Sequence, residues 1–370
     1  MFSDLKVLEL ASVLAGPSVG QFFAELGAEV IKVENPVTGG DVTRTWKLAG
    51  ERTDDRSAYF CSVNWGKRSV TLDLTLEQDR ASVYELASKA DIVIASYKPG
   101  DAEKLGVDYA ALSKQNMRLI YAQISGYGPE NPRVGYDAII QAEAGFMFMN
   151  GEPGGPSLKM PVALVDVLAA HHLKEGILLA LLNRERTGKG DKVEVSLIQA
   201  AAASLVNQAT NWLVAGKLPQ KQGSAHPNIA PYGDVYTTAD GQEIILAVGS
   251  DRQFQDLCAI LEMPEMAHDH RFKTNTARVE NRMDLNGLLQ TRIILYTADA
   301  LITAIHRMKI PAGFIQNMQQ VFDTPEVKEL LLNDQGITGV KSFVAKLGGV
   351  KKINLLAPPG LGEHTKEITS

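Results

Sequence analysis

The first 34 residues contain a strand, a helix and a second strand in succession. Residues 5–10 form an apolar run typical of a short buried strand, and residues 18–26 are predicted to form a helix. Residues 27–34 are predicted to form the second strand, which completes a unit of about 30 residues. A unit of this kind joins parallel strands through a helix that covers the sheet, so the chain is predicted to have an α/β fold.

The same alternation continues beyond this unit. Strands are predicted at residues 70–74, 91–95, 118–124 and 192–196, with helices at 76–90 and 109–115. This order favours a mainly parallel, Rossmann-like sheet, whose ligands bind at the carboxyl ends of the strands. Three segments lie at those predicted ends and are candidates for a site: residues 14–17, 96–98 and 125–128.

A dinucleotide site is disfavoured by the turn after the first strand. Glu34 ends the second strand, where dinucleotide-binding folds place an acid on a ribose. The turn, however, lacks the G-x-G-x-x-G pattern that brings the backbone close to a pyrophosphate. The sequence therefore argues against an NAD site.

The length of 370 residues predicts a large domain with a smaller one attached. Residues 1–200 are expected to form the N-terminal part of the large Rossmann-like domain. A long helix is predicted from residue 197 to about 214, and residues 201–221 are assigned as a linker helix. Short strands and turns then indicate a smaller α+β domain at 222–310. Residues 311–370 are rich in loops and are predicted to return to the large domain or to cross a partner.

Composition excludes several classes of protein. The net charge is −6 and no Lys/Arg block is longer than a pair, which argues against nucleic-acid binding. No apolar run reaches the length of a membrane span, and the N-terminus lacks the pattern of a signal peptide. Cys61 and Cys258 have neither metal-ligand nor redox spacing, so a reducing cytoplasm is expected. His171 and His172 follow Asp166 at spacings that do not suit a metal site, and none is predicted.

Asp166 interrupts an almost unbroken apolar run at residues 159–172. Burial of an isolated carboxylate is unfavourable by on the order of several kcal/mol unless the group is paired, hydrogen-bonded or protonated. One explanation is an acid in the first turn of a helix that begins at residue 164, after Pro161. The other is a desolvated nucleophile or base. The stretch by itself leaves both explanations open.

Several short motifs occur in a fixed order along the chain. They lie at residues 14–17, 27–34, 64–74, 90–93, 99–100, 125–128, 135–137, 186–190, 226–227, 231–232, 271–272 and 358–365. Together they resemble the class III CoA-transferase family (CaiB/BaiF type), which includes formyl-CoA transferase, carnitine CoA-transferase and α-methylacyl-CoA racemase. The resemblance covers essentially the whole chain.

The resemblance implies a function for Asp166 and a quaternary structure. It matches Asp166 to the family's catalytic aspartate, which attacks an acyl-CoA and carries a mixed anhydride and then an aspartyl-CoA thioester. The backbone dipoles of a first helical turn would hold this carboxylate ionised, and a water-poor pocket would protect the anhydride. The substrates implied are an acyl-CoA and a free carboxylic acid, with no permanently bound cofactor. The family forms a homodimer of two subunits interlocked like chain links.

The resemblance also suggests two other functions. In the racemase branch, a His in a Gly-His-Asp motif is one of two acid/base groups, and the matching residue here is Tyr136. A phenol is a poor proton shuttle at neutral pH, so transfer is favoured over racemisation. A non-catalytic acyl-CoA-binding relative is the third possibility.

The remaining site residues also follow from the resemblance. It implies CoA contacts at Ala15, Leu72, Ser96, Tyr97 and Lys104, and substrate contacts at Leu14, Tyr136 and His226. Lys104 either binds a CoA phosphate or is a solvated helix lysine, and Lys67 and Arg68 either contact phosphate or make structural pairs.

The chain departs from formyl-CoA transferase at four places. Those sequences carry Gln at the position of Leu14, Asn at Ser96, Arg at Asn35 and a glycine-rich lid at residues 223–228. These differences put formate or oxalate as substrates in doubt, and no residue selects another pair of acids.

Overall fold

The computed structural model describes residues 1–52, 54–348 and 353–369. The strands are β1 (Lys6–Leu10), β2 (Glu29–Glu34), β3 (Lys67–Thr71), β4 (Ile92–Ala95), β5 (Ile120–Ser125), β6 (Asp191–Ser196), β7 (Tyr232–Thr237), β8 (Glu243–Ala247), β9 (Ala312–Phe314), β10 (Leu331–Asp334) and β11 (Ile337–Val340).

Ten helices occur among the described residues up to residue 217. They are α1 (Ala15–Glu25), α2 (Ala58–Cys61), α3 (Glu77–Lys89), α4 (Asp101–Leu105), α5 (Tyr109–Leu112), α6 (Asp137–Glu143), α7 (Phe146–Met149), α8 (Leu164–Thr187), α9 (Leu197–Ala203) and α10 (Val206–Leu213). The later helices are α11 (Asp251–Ile260), α12 (Asn275–Glu280), α13 (Arg282–Ile293), α14 (Ala298–Arg307), α15 (Met318–Asp323), α16 (Pro325–Lys328) and α17 (Thr365–Ile368). Short 3-10 helices occur at Pro36–Thr38, Val42–Thr45 and Pro264–His268.

Six strands form one parallel sheet in the order β3-β2-β1-β4-β5-β6. This arrangement confirms the predicted α/β class with a mainly parallel sheet. The chain winds outward from β1 in one direction and from β4 in the other. The loops that follow β1 and β4 therefore diverge, and they leave a crevice at the carboxyl ends of these two strands, where such sheets bind ligands.

The residues of strand β4 face apolar cores on both sides of the sheet. All four of its residues are buried, and they alternate between two apolar cores. Ile92 and Ile94 join the core formed with α1 and α8, whereas Val93 and Ala95 join the core formed with α3 and α5. A continuous apolar run is what a central parallel strand requires.

Helix α8 carries Asp166 in its first turn and packs one stripe against the sheet. Val165, Ala169, Leu173 and Ile177 recur every four residues and are fully buried. Gly188 ends the helix with φ of 73°, a left-handed conformation that glycine adopts without strain.

The predicted continuous helix from residue 197 to about 214 is wrong. The structure has two helices, α9 and α10, and Val206, the first residue of α10, has φ of 45°. A right-handed helix cannot continue through a positive φ. The hydroxyl of Ser204 donates to the carbonyl of Ala200 at 2.8 Å, a side-chain bond that competes with the regular backbone pattern at the break.

The chain divides into two compact units. The first contains residues 1–146, 159–217 and 328–370, with the parallel sheet and the β10–β11 hairpin. The second contains residues 147–158 and 218–327, with the antiparallel sheet β7-β8-β9 and helices α11 to α14 around a core that includes Tyr236, Phe254 and Leu285. The boundaries assigned from sequence at 1–200, 201–221, 222–310 and 311–370 stay predictions, and residues 349–352 and 370 of the last segment lie outside the described residues.

Within the part of the chain that the structure describes, no single helix is long and apolar enough to cross a membrane. The pair α13 and α14, bent by 114°, satisfies length and composition only when the two helices are taken together. The cytoplasmic location stays a prediction.

Candidate active site

A cavity of about 150 Å³ lies at the carboxyl edge of the parallel sheet. Its walls come from the turn between β1 and α1, the loop after β4, the end of β5, the loop before α6, and the first turn of α8. The loops after β1 and β4 line opposite parts of this cavity, so it occupies the crevice that the strand order creates.

Asp166 supplies a carboxylate to this cavity. It is the third residue of α8 and only 8% exposed. No side chain or backbone group among the described residues donates a hydrogen bond to it or forms an ion pair with it. Most buried carboxylates have such partners, so an unpartnered one on a cavity wall is a candidate for chemistry.

A second carboxylate, Asp137, takes the place at the helix start that Asp166 was expected to use. The backbone N–H of Val165 donates to Asp137 Oδ1 at 2.9 Å, and Gln141 Nε2 donates to both Asp137 oxygens at 2.9 and 3.1 Å. Asp137 therefore satisfies one of the free N–H groups of α8. Asp166, although it lies in the same turn, receives none of them.

This environment raises the pKa of Asp166 from its ordinary value of 3.8 to about 7. Burial is the larger cause and the negative charge of Asp137 is the second. The expectation that the helix dipole keeps Asp166 ionised is therefore wrong. Asp137 already occupies the helix start, and it adds a like charge nearby.

The N-terminus of α1 faces the same cavity. Leu14, its N-cap, makes no side-chain capping bond, and Pro17 has no N–H to offer. The first N–H groups of a helix have no partner within it, which leaves those of Ala15 and Gly16 free to bind an anion. A buried carboxylate and N–H groups that can bind an anion thus border one cavity.

The structure brings most of the predicted site residues together. Six of the predicted residues line the cavity: Leu14, Ala15, Ser96, Tyr97, Tyr136 and Asp166. Three others do not line it. Leu72 is buried in the core, and Lys104 is largely exposed and pairs with Asp101 at 3.1 Å. His226 belongs to the second unit, where its Nδ1 accepts from the N–H of Asn228. Their roles stay predictions.

Structural pairing, one of the two alternatives for Lys67 and Arg68, is confirmed. Lys67 is buried and contacts Glu9 at 2.7 Å, and Arg68 pairs with Glu29 at 2.9 Å. Glu34 is also occupied, because it accepts from Arg44 at 2.7 Å. Among the described residues, no group of three or more His, Cys, Asp and Glu side chains could hold a metal ion.

Two residues of this region had no role in the predictions made from sequence. Asp137 stood inside the 135–137 motif without a role, and only its contact with α8 gives it one. Arg133 lies in a loop without periodicity, yet it lines the cavity beside Lys98. Its guanidinium stacks on the ring of Tyr127 at 4.3 Å and pairs with Glu143.

The raised pKa of Asp166 predicts a stability that depends on pH. In the folded chain the carboxyl ionises near pH 7, whereas in the unfolded chain it ionises near its ordinary value of 3.8. Stability therefore falls as pH rises between these values, and the full cost is present above pH 7. We expect Asp166→Asn to raise the free energy of unfolding at pH 8 by about 2 to 4 kcal/mol, a gain that shrinks towards pH 4.

Urea denaturation at pH 5 and pH 8 measures this difference. Asp101→Asn, a change at a half-exposed acid that pairs with Lys104, is the control and should show no such gain. Equal gains for Asp166→Asn at both pH values would contradict the raised pKa.

The whole chain has a family match. The model of CoA-transferase family III matches residues 2–365. The chain is similar to the succinate–glutarate CoA-transferase of Agrobacterium fabrum, with 40% identity over 333 residues that cover 88% of this chain and 82% of the relative. It is also similar to the acetyl-CoA:oxalate CoA-transferase of Acetobacter aceti, with 35% identity over 94% of this chain and 86% of the relative.

A solved structure agrees with this match. A CaiB/BaiF family protein from Brucella suis superimposes with a TM-score of 0.87 and 40% identity, covering 98% of this chain and 97% of that one. CoA-transferases of this kind use CoA thioesters as substrates. The chain therefore belongs to CoA-transferase family III and is an enzyme of that class.

Proposed function

We propose that this enzyme moves CoA from an acyl-CoA donor to a free carboxylic acid through covalent intermediates on Asp166. The observation that carries the proposal is the buried, unpartnered carboxylate of Asp166 on the wall of the cavity at the sheet edge. We place the thioester end of CoA in this cavity, against Leu14, Ala15, Ser96 and Tyr97.

The first half of the reaction transfers the acyl group and then CoA to the enzyme. An Asp166 oxygen attacks the thioester carbonyl, the C–S bond breaks, and an acyl-aspartyl anhydride and a CoA thiolate result. The thiolate attacks the aspartyl carbon of the anhydride. The donor acid leaves as a carboxylate, and Asp166 now carries CoA as a thioester.

The second half repeats these steps with the acceptor. The acceptor carboxylate attacks the aspartyl-CoA thioester and releases the thiolate, which gives a new anhydride. The thiolate then attacks the acceptor's acyl carbon, so that acceptor acyl-CoA forms and the Asp166 carboxylate is restored. No water and no net proton is consumed. The site must exclude water because water would hydrolyse the anhydride and the thioester.

The environment of Asp166 suits a nucleophile of this kind. A pKa of about 7 leaves about half of the carboxyl groups ionised at neutral pH, and the ionised form has lost its hydration. The free N–H groups at the start of α1 are suited to the oxyanion that forms in each attack. We assign to Tyr136 the role of an aromatic wall of the cavity.

Removal of the nucleophile tests the mechanism. We expect Asp166→Ala to lower kcat for CoA exchange by about 10⁴-fold or more while the fold is retained, with Asp101→Asn as the control that keeps activity. Mass spectrometry of the wild-type enzyme during turnover should find an acyl or CoA adduct on the peptide that contains Asp166.

Other outcomes identify the alternative functions. Exchange that persists in Asp166→Ala, or the absence of any adduct, would overturn the mechanism. Deuterium uptake from solvent without an acceptor acid would indicate a racemase. Thermal stabilisation by CoA without turnover would indicate a binding protein.

We further propose that the acceptor is a dicarboxylate. Relatives of this chain bear the names of succinate–glutarate and acetyl-CoA:oxalate CoA-transferases. The cavity wall includes two cations, Lys98 and Arg133, and one carboxylate, Asp166. An acid with a second carboxylate therefore gains a charged partner, and the Arg133 guanidinium, which already pairs with Glu143 through Nη2, offers its remaining N–H groups. We assign this role to Arg133.

Acceptors that differ only in the distal carboxylate test this assignment. With succinyl-CoA as donor, Arg133→Gln should raise KM for glutarate by about 10-fold or more and leave KM for pentanoate nearly unchanged. Lys98→Gln removes the same charge from the same cavity and should affect both acids alike. Equal effects of Arg133→Gln on both acids would contradict a dicarboxylate site at this residue.

We also propose that the enzyme is an interlocked homodimer. Helix α8 turns Leu179 and Leu182 outward, exposed by 67% and 53%, and α10 exposes Trp212 and Leu213. Exposed large apolar side chains on both helices are typical of a subunit interface.

Light scattering after gel filtration should give twice the 40.1 kDa mass of one chain. Leu179→Asp should shift the mass towards one chain because it buries a charge in the interface. The control Met283→Asp, at an exposed position of α13, should not. A wild-type mass of one chain would refute the dimer.

A further inference from the structure

The turn between β1 and α1 contains a residue in an unusual conformation. Val13 has φ of 73°, which is strained for a β-branched side chain. Val13 lines the cavity, and it stands immediately before the N-cap of α1. Its conformation therefore sets the direction in which the first N–H groups of α1 point.

Asp41 holds the backbone of Val13. The N–H of Val13 donates to both carboxylate oxygens of Asp41, at 3.2 Å each. Asp41 is fixed in turn by the N–H and hydroxyl of Thr43, at 3.1 and 2.8 Å, and by Lys32 Nζ at 2.9 Å. Asp41 is buried, so water does not compete for these bonds.

Two buried lysines hold the chain on either side of Val13. Lys32 Nζ donates to the carbonyl of Ala11 at 2.7 Å, and Lys67 Nζ donates to the carbonyl of Pro17 at 2.9 Å. Both lysines also bind the carboxylate of Glu9, at 3.0 and 2.7 Å. Burial lowers the pKa of Lys32, but the charges of Glu9 and Asp41 outweigh it, so Lys32 stays charged. We call Glu9, Lys32, Asp41 and Lys67 the buried charge cluster.

Helix α1 itself rests directly on this cluster. A Cβ at Gly20 would lie 1.9 Å from Glu9 Oε2, so the glycine is needed for the helix to approach the carboxylate. The turn is thus held at Ala11, Val13 and Pro17 by side chains that come from β1, β2, β3 and the loop after β2.

Stability alone does not account for four buried charges. Apolar side chains of similar volume are often as stabilising as a buried ion pair, because desolvation offsets the attraction between the charges. Apolar side chains, however, cannot bind the N–H of Val13 or the carbonyls of Ala11 and Pro17. Those three backbone bonds are what these charges add.

We infer that the buried charge cluster is a positioning device for the active site. Through Asp41 it keeps Val13 in the left-handed conformation, and it thereby aims the N–H groups of Ala15 and Gly16 into the cavity that Asp166 lines. The positioning of catalysis rests on the proposed function, whereas the strain at Val13 does not. The inference therefore has two separate tests.

The first test measures strain at Val13 without any assay of activity. Val13→Gly and Val13→Ala both remove the two γ-methyl groups, but only the alanine keeps a Cβ. Glycine is normally the less stable of the two, and at a positive φ this order reverses. In urea denaturation, the midpoint of Val13→Gly should be higher than that of Val13→Ala. A lower midpoint for Val13→Gly would contradict the claim that the backbone of Val13 is strained.

The second test measures whether Asp41 acts through Val13. Asp41→Asn removes the charge that binds Lys32, and we expect it to lower kcat for CoA exchange by about 10-fold or more, with a smaller change in KM. In the Val13→Gly background the same substitution should lower kcat by less than about 3-fold, since glycine keeps a positive φ without help.

Equal losses in the two backgrounds would overturn a positioning role through Val13. Circular dichroism of each variant shows whether it is folded. If Asp41→Asn does not fold in either background, the cluster serves the fold alone and the positioning role is refuted. If the wild-type enzyme shows no CoA exchange, the proposed function fails. The comparison of Val13→Gly with Val13→Ala still shows whether the backbone of Val13 is strained.

Discussion

The reversal of strand order between β1 and β4 is the constraint on which the rest of the structure depends. Parallel strands must be joined by helices that cross over the sheet, and these crossovers leave β1 towards one edge and β4 towards the other. The loops that follow the two strands separate at this point, and a cavity opens without any further packing defect. Asp166 comes to it from α8, far along the chain, because α8 packs on the same face of the sheet as α1.

Two carboxylates near this cavity have opposite environments. Asp137 is surrounded by donors and binds the start of α8, so its charge is compensated. Asp166 has no such donor among the described residues, and both burial and its neighbour oppose its charge. Asp137 thus binds the start of the helix, whereas the carboxylate of Asp166 makes no such structural bond among the described residues.

The sequence predicted the features that depend on local pattern. Apolar runs located the parallel strands, although β3 begins at Lys67 and not at residue 70, and the position of Asp166 in such a run marked it before any contact was known. The break at Val206 was missed because a single positive φ leaves no periodic signal. The pairing of Lys32 and Lys67 with Glu9 was also beyond reach, since it depends on which strands become neighbours. In a sequence, a lysine within a strand looks like a solvent-facing residue of an alternating pattern.

The position of Glu9 also bears on how this sheet opens and closes. Its two partners come from β2 and β3, so detachment of either strand would remove one of the two lysines that balance the charges of Glu9 and Asp41 in the core. Such a loss costs about 3 to 5 kcal/mol on top of the broken backbone bonds, which makes fraying of the β3 edge expensive. The first three strands should therefore exchange their amide hydrogens as one cooperative block, although β3 lies at the border of the sheet.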